Sequence, residues 1–118
     1  MISLHLNRIK GNFGEKLAYN YLKEKGYSII ETNFKNKIGE VDIIAQKDHI
    51  IIFIEVKSRS NINYGHPFES VNSKKQNKLR KLAQSYRRIR GLIDVQFRFD
   101  IIEVFLNKGK LNHIENAF

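Results

Sequence analysis

Five consecutive apolar residues, Ile50-Ile51-Ile52-Phe53-Ile54, run directly into Glu55-Val56-Lys57. A run this rich in isoleucine, opened by the turn-like Lys47-Asp48-His49, predicts a strand covered on both faces. Such a strand needs a sheet around it and a layer on each side, which the rest of the chain must supply. Charge at the end of a buried strand is rare unless it is paired or bound to a metal. Residues two apart on a strand share a face, so Glu55 and Lys57 project together. A second acid, Asp42, closes its own apolar stretch thirteen residues earlier. A carboxylate beside an ammonium, with another carboxylate one strand over, is the equipment of metal-dependent phosphodiester cleavage.

The flanking segments read as the missing layers. From about Asn12 to Lys25, Phe13, Leu17, Ala18, Tyr21 and Leu22 recur at helical spacing, and Gly26 is a natural stop. Tyr27 to Phe34 is rich in β-branched and aromatic residues, and Gly39 to Ala45 gives a second strand before Ile50–Lys57. Ser58 to Glu69, with Asn61, Asn63, Gly65 and Pro67, predicts a loop that carries Tyr64, His66 and Phe68. A second helix follows from about Val71 to Arg90, with Leu79, Leu82, Ala83, Tyr86 and Ile89 as its buried stripe. Val95 to Leu106 and Leu111 to Ile114 read as two closing strands. The expected architecture is α/β in the order αβββαββ, an antiparallel meander followed by a helical crossover to a parallel neighbour. That gives one mixed sheet with a helix on each side.

The chain of 118 residues reads as one domain, 1–118, with a formal net charge of +9. It has no cysteine, no apolar stretch long enough to span a bilayer and no signal-like start at Met1–Leu6, so a cytoplasmic protein without a membrane partner is expected. The charge is concentrated. No acid occurs from Ser70 to Ile93, where Lys74, Lys75, Lys78, Arg80, Lys81, Arg87, Arg88 and Arg90 all fall. A basic helix of this kind points to a polyanion, with nucleic acid the leading partner. No phosphate-loop glycine motif is present, so no nucleotide cofactor is expected.

Several of these residues form a larger pattern. Gly14-Glu15 with Ala18, Tyr21-Leu22 and Gly26-Tyr27, the Gly39-Glu40-Val41-Asp42-Ile43-Ile44-Ala45 segment and Phe53-Ile54-Glu55-Val56-Lys57-Ser58-Arg59 resemble the YraN-like family of small bacterial proteins. Gly65 and the closing Asn116-Ala117-Phe118 fit it too. That family looks like part of the PD-(D/E)xK superfamily of restriction-endonuclease-like proteins and is similar to archaeal-type Holliday junction resolvases. One departure is that Val41, not proline, precedes Asp42. The resemblance implies a restriction-endonuclease-like sheet flanked by helices, cleavage of DNA including branched DNA, and a homodimer. It also implies a Val56 carbonyl that contributes to a metal site and Glu15 as a further ligand.

The residues themselves support part of this. Neighbouring strands lie about 4.8 Å apart, so Asp42 and Glu55 can bracket one ion, and hard oxygen ligands favour Mg²⁺ or Mn²⁺. Lys57 would then hold a metal-bound water and stabilise charge on the phosphoryl oxygens. Without metal, nearby acids repel and at least one should titrate high. Glu40 and Gln76 are candidates for the surroundings of the site. Arg59, Lys74, Lys75, Lys78, Arg80, Lys81, Arg87 and Arg88 are candidates for phosphate contacts. His49 and His113 are isolated and read as structural or solvated, as does His5. Taken alone, Glu55 and Lys57 could form an interior salt bridge, with Asp42 in a turn and Glu15 paired to Lys16 or Lys23. The alternative to an enzyme is a nucleic-acid-binding protein that keeps the fold with little or no cleavage.

Overall fold

The computed structural model describes residues 13–59 and 71–118. In chain order it has α1 (Phe13–Glu24), β1 (Ser28–Lys35), β2 (Glu40–Lys47), β3 (Ile50–Arg59), α2 (Ser73–Arg90), β4 (Gln96–Phe105) and β5 (Lys110–Ile114). The αβββαββ order is the expected one. The loop expected to carry Tyr64, His66 and Phe68 lies outside the described residues.

The five strands form one sheet in the spatial order β1-β2-β3-β4-β5. The first three pair antiparallel, β4 runs parallel to β3 across the α2 connection, and β5 returns antiparallel. A two-residue turn, Asp48-His49, joins β2 to β3, with Asp48 in the left-handed region at φ 57°. Asp is among the few non-glycine residues that occupy that region readily.

The isoleucine run is the centre of both layers. Ile51 and Phe53 pack with Leu79, Leu82, Ala83 and Tyr86 of α2. Ile52 and Ile54 pack with Ala18 and Leu22 of α1. Consecutive residues of one strand thus serve opposite cores, which is why the run contains no polar position. β3 continues to Arg59, beyond the expected loop boundary at Ser58, because β4 pairs alongside it through Arg59↔Phe105.

Three stripe positions differ from expectation. Phe13 is exposed at the first residue of α1, and Tyr19 is buried instead. Ile89 is 63% exposed. One turn beyond Tyr86 the stripe passes to exposed Arg90, whose guanidinium lies over the Tyr86 ring and pairs with Glu31 at 2.7 Å. Ile89 is left on the outer side.

Asn72, rather than Val71, opens α2. It has an extended backbone, and its side chain accepts from the Lys75 amide at 3.0 Å. Asn72→Ala is expected to cost about 1 kcal/mol of stability, measured by urea unfolding. Gly91, at φ 61°, closes the same helix in the left-handed conformation.

Candidate active site

At Asp42 the strand β2 parts from β3 while staying paired with β1. Its ladder with β3 runs from Lys47↔Ile50 to Ile43↔Ile54 and stops there. Val41 packs into the α2 core, whereas Ile43, two residues on, packs into the α1 core. Strict alternation would put both on one face, so the strand turns over at Asp42. Across the β1–β2 ladder, Asn33 lies between the pairs Thr32↔Ile43 and Phe34↔Val41, and its φ is 52°.

Where the main-chain ladder ends, the Asp42 carboxylate takes over. Its Oδ2 accepts the Val56 amide at 2.7 Å. The acid is therefore held at the point where β2 and β3 diverge, next to Glu55 on the adjoining strand.

Glu55 is buried, with 3% of its surface exposed. Its Oε2 lies 3.2 Å from the Lys75 ammonium of α2. Its Oε1 is buried with no hydrogen-bond partner among the described residues. The interior Glu55–Lys57 salt bridge is not what forms. Glu55 pairs with Lys75, and among the described residues Lys57 makes no ion pair. Lys75, expected only among the phosphate contacts, stands against the buried acid.

Glu15 comes from the first turn of α1 and reaches the same cluster. Its pKa is raised from 4.5 to about 7, by burial first, then by the Asp42 charge and a hydrogen bond with Asp42, and then by Glu40. Burial also raises Glu55 to about 7, with the Asp42 charge adding to it, while Lys75 and then Lys57 oppose the rise. Asp42 is raised as well, by burial, against the lowering effect of the Val56 amide, Lys75, Lys57 and a hydrogen bond with Glu55. The expectation that an acid here titrates high is met, but desolvation outweighs mutual repulsion as its cause.

Asp42, Glu55, Lys57 and Glu15 thus meet at one end of the sheet. Among the described residues, no three His, Cys, Asp or Glu side chains are gathered as a ready-made metal cage. Magnesium-type sites commonly use one or two carboxylates and complete the shell with water and phosphate. The unpartnered Glu55 Oε1 beside Asp42 fits that donor set.

The other expected site residues separate into three groups. Lys74, Lys75 and Lys78 line a groove of about 410 Å³ with Gly39, Glu40, Asn72, Leu79 and Leu82. Glu40 is exposed on its rim, near enough to Glu15 to act on its pKa. Arg80, Lys81 and Arg88 surround a second depression with Ile38 and Gln84. Both hollows flank the β1–β2 turn, which the Asn36 side chain fixes by accepting from the amides of Ile38 and Gly39.

Three candidates are engaged elsewhere. The Gln76 amide donates to the Val71 carbonyl at 2.8 Å and so serves the start of α2, not the acids. Arg59 forms a 2.6 Å ion pair with buried Glu103. Arg87 lies over the Phe97 ring and donates to the Val95 carbonyl. Arg59 and Arg87 face the protein because a buried acid and an aromatic ring compete for them.

His113 proves structural, as expected of an isolated histidine. Its Nε2 lies 2.7 Å from fully buried Asp100, and its Nδ1 lies 2.9 Å from the Tyr21 hydroxyl. Arg98 and the Asn116 amide also donate to Asp100; burial pushes its carboxyl up, but this network outweighs burial and holds it below the usual range.

The family pattern described as "Uncharacterised protein family UPF0102" matches residues 14–104, a span that includes the whole cluster and Lys75. A UPF0102 protein of Clostridioides difficile (strain 630) is 53% identical over 112 residues, covering 95% of this chain and 98% of that protein. A UPF0102 protein of Caldanaerobacter subterraneus subsp. tengcongensis is 51% identical, with 92% of this chain and 93% of that protein covered. Another, from Clostridium beijerinckii, is 49% identical over 117 residues. With the pattern spanning most of the chain and relatives matched over nearly their full lengths, the chain belongs to the UPF0102 family.

Proposed function

We propose that this protein is a divalent-cation-dependent endonuclease-like enzyme that hydrolyses DNA phosphodiester bonds, with branched DNA as its leading substrate class. The observation that carries the reading is the Asp42–Glu55 pair at the point where β2 and β3 diverge, with a buried Glu55 oxygen that has no partner among the described residues. Asp42, Glu55 and the Val56 carbonyl would hold Mg²⁺ or Mn²⁺. Such an ion supplies Lewis-acid polarisation of a phosphate and a bound water of lowered pKa. Glu15, at the mouth of the same cluster, takes part as a proton acceptor or through water.

The remaining work belongs to side chains of the protein. The Asp42 carboxylate is oriented by the Val56 amide before any ligand arrives, which limits reorganisation. Lys57 projects from the same face of β3 as Glu55 and makes no ion pair among the described residues. Its ammonium is therefore available to stabilise charge on the scissile phosphate. The exposed cations of α2 position the phosphate backbone on both sides of the β1–β2 turn.

A basic helix face alone would equally serve a binding module that does not cleave. Incubation with linear, single-stranded, flap and four-way DNA in Mn²⁺, with Asp42→Ala as control, separates the two. Nicking that requires the metal and disappears in the variant is expected. Metal-independent binding without nicking on any of the four would leave the binding module as the function. Among the described residues no helix is long and apolar enough to cross a membrane.

The role of α2 has its own test. Lys78→Ala combined with Lys81→Ala is expected to weaken DNA binding similarly for all sequences. It should lower the slope of log affinity against log salt by about 2. An unchanged slope would remove this face from the interface.

A further inference from the structure

Two lysines approach the acid pair, and the one outside the strand motif has the closer claim. Lys75 reaches Glu55 from the second helical layer, with Nζ 3.2 Å from Oε2. Its main chain is fixed, because its own amide is the one capped by Asn72. Its side chain is little more than a third exposed, while the Glu55 side chain is almost fully buried. A buried carboxylate facing Asp42 needs positive charge in the absence of a metal ion, and Lys75 supplies it. Yet Lys75 engages one Glu55 oxygen only and leaves Oε1 without a partner. A single ammonium also brings one positive charge to the Asp42–Glu55 pair, where a divalent cation brings two. Lys75 further lines the groove with Lys74 and Lys78, so its ammonium has an alternative position among phosphate-binding groups within reach of its own flexible stem.

We infer that Lys75 is an exchangeable counter-ion, which holds Glu55 in the cation-free protein and is displaced toward the substrate phosphate when a divalent cation takes its place. The inference rests on the reading of Asp42 and Glu55 as a cation site and deepens it. It assigns a competition between a fixed lysine and the metal, and couples metal binding to phosphate binding. A phosphodiester that draws the ammonium away makes Glu55 available, so cation and DNA should each strengthen binding of the other.

The test is Mn²⁺ binding followed by calorimetry and by the electron paramagnetic resonance of free Mn²⁺, without DNA. Wild type, Lys75→Met, Lys75→Arg, Lys74→Met and Glu55→Gln are compared. Lys75→Met is expected to bind Mn²⁺ about three- to tenfold more tightly than wild type, because the competing ammonium is gone. Lys74→Met removes the same charge one residue along and should change affinity less than about twofold. Lys75→Arg keeps the charge and guards against a packing effect; it should not reproduce the tightening. In the presence of a short uncleavable duplex, wild type should gain Mn²⁺ affinity and Lys75→Met should gain less.

Tighter binding by Lys75→Met alone, with the reduced DNA effect, supports the exchange. Equal or weaker Mn²⁺ binding by Lys75→Met, while Glu55→Gln still abolishes it, overturns the exchange and leaves the cation site standing. If wild type and Glu55→Gln bind Mn²⁺ indistinguishably, the cation site itself fails and the exchange fails with it.

Discussion

Glu55→Gln is expected to lower Mn²⁺-dependent cleavage of DNA by about a thousandfold and, in the same protein, to stabilise the metal-free fold near pH 8 by roughly 1 kcal/mol. The two effects have opposite signs for one reason. Two anionic oxygens hold a divalent ion far more strongly than one, and glutamine offers only a neutral carbonyl in place of the second. In the metal-free fold, however, that charge is buried at 3% exposure beside Asp42, which costs free energy. The amide keeps the shape and can still accept from Lys75, so the ion pair weakens without leaving a hole. Loss of the Lys75 attraction offsets part of the gain, which is why the expected stabilisation is smaller than the full cost of a buried carboxylate. Cleavage rates on four-way DNA and urea unfolding of the same preparations provide the check. Loss of activity together with loss of stability would make Glu55 a structural residue.

The sheet was legible because its strands announce themselves. The unbroken Ile50–Ile54 run demanded two covering layers, and the two helical stripes supplied them. The meander followed from short connections, and the parallel β3–β4 pair from the long helical one. What was not legible concerns ends. Periodicity places Phe13 and Ile89 on apolar stripes, but it cannot tell that a helix has run past the sheet it covers. Nor does it tell that Arg90, at the exposed end of the helix, lies over the Tyr86 ring.

The acids were legible for a different reason. Polar residues at the end of a strand that is otherwise apolar stand out in one dimension, and the resemblance to a known pattern tied Glu15 to them. Lys75 was harder to see, because it sits in a segment crowded with cations. A signal was nevertheless present. Lys75 lies four residues before Leu79 and seven before Leu82, on the inner stripe of α2. A lysine on an apolar stripe must find a counter-charge, and Asp42 and Glu55 lie on strands of the sheet that this helix covers. Arg98, Asp100 and His113 were obscured by the opposite problem. Alternation marks Arg98 and Asp100 as one face of β4, but it does not say that this face is covered, and Asp100 is fully buried.

Metal-free stability is expected to fall as pH rises from about 4.5 to about 7 and to level off above that, the reverse of an ordinary acid transition over the same window. Glu15 and Glu55 have folded-state pKa values raised from 4.5 to about 7, and Asp42 is raised too. A raised carboxyl binds its proton more tightly in the folded chain than in the unfolded one. Its contribution is therefore complete below the unfolded value and is lost as pH climbs through the folded one. For Glu55 that contribution is on the order of 3 kcal/mol, and half-buried Glu15 adds less. Asp100 runs the other way, since its pKa is lowered, but its loss begins only below the ordinary aspartate range and leaves this window untouched. A divalent cation would bind the ionised acids in competition with these protons. Mn²⁺ should therefore raise the melting temperature strongly near pH 8 and little near about pH 5.5, removing most of the pH slope. Differential scanning calorimetry across this range, with Mn²⁺ and then with a chelator, reads both effects. A metal-free stability that rises between these pH values would mean that the three acids are not buried together.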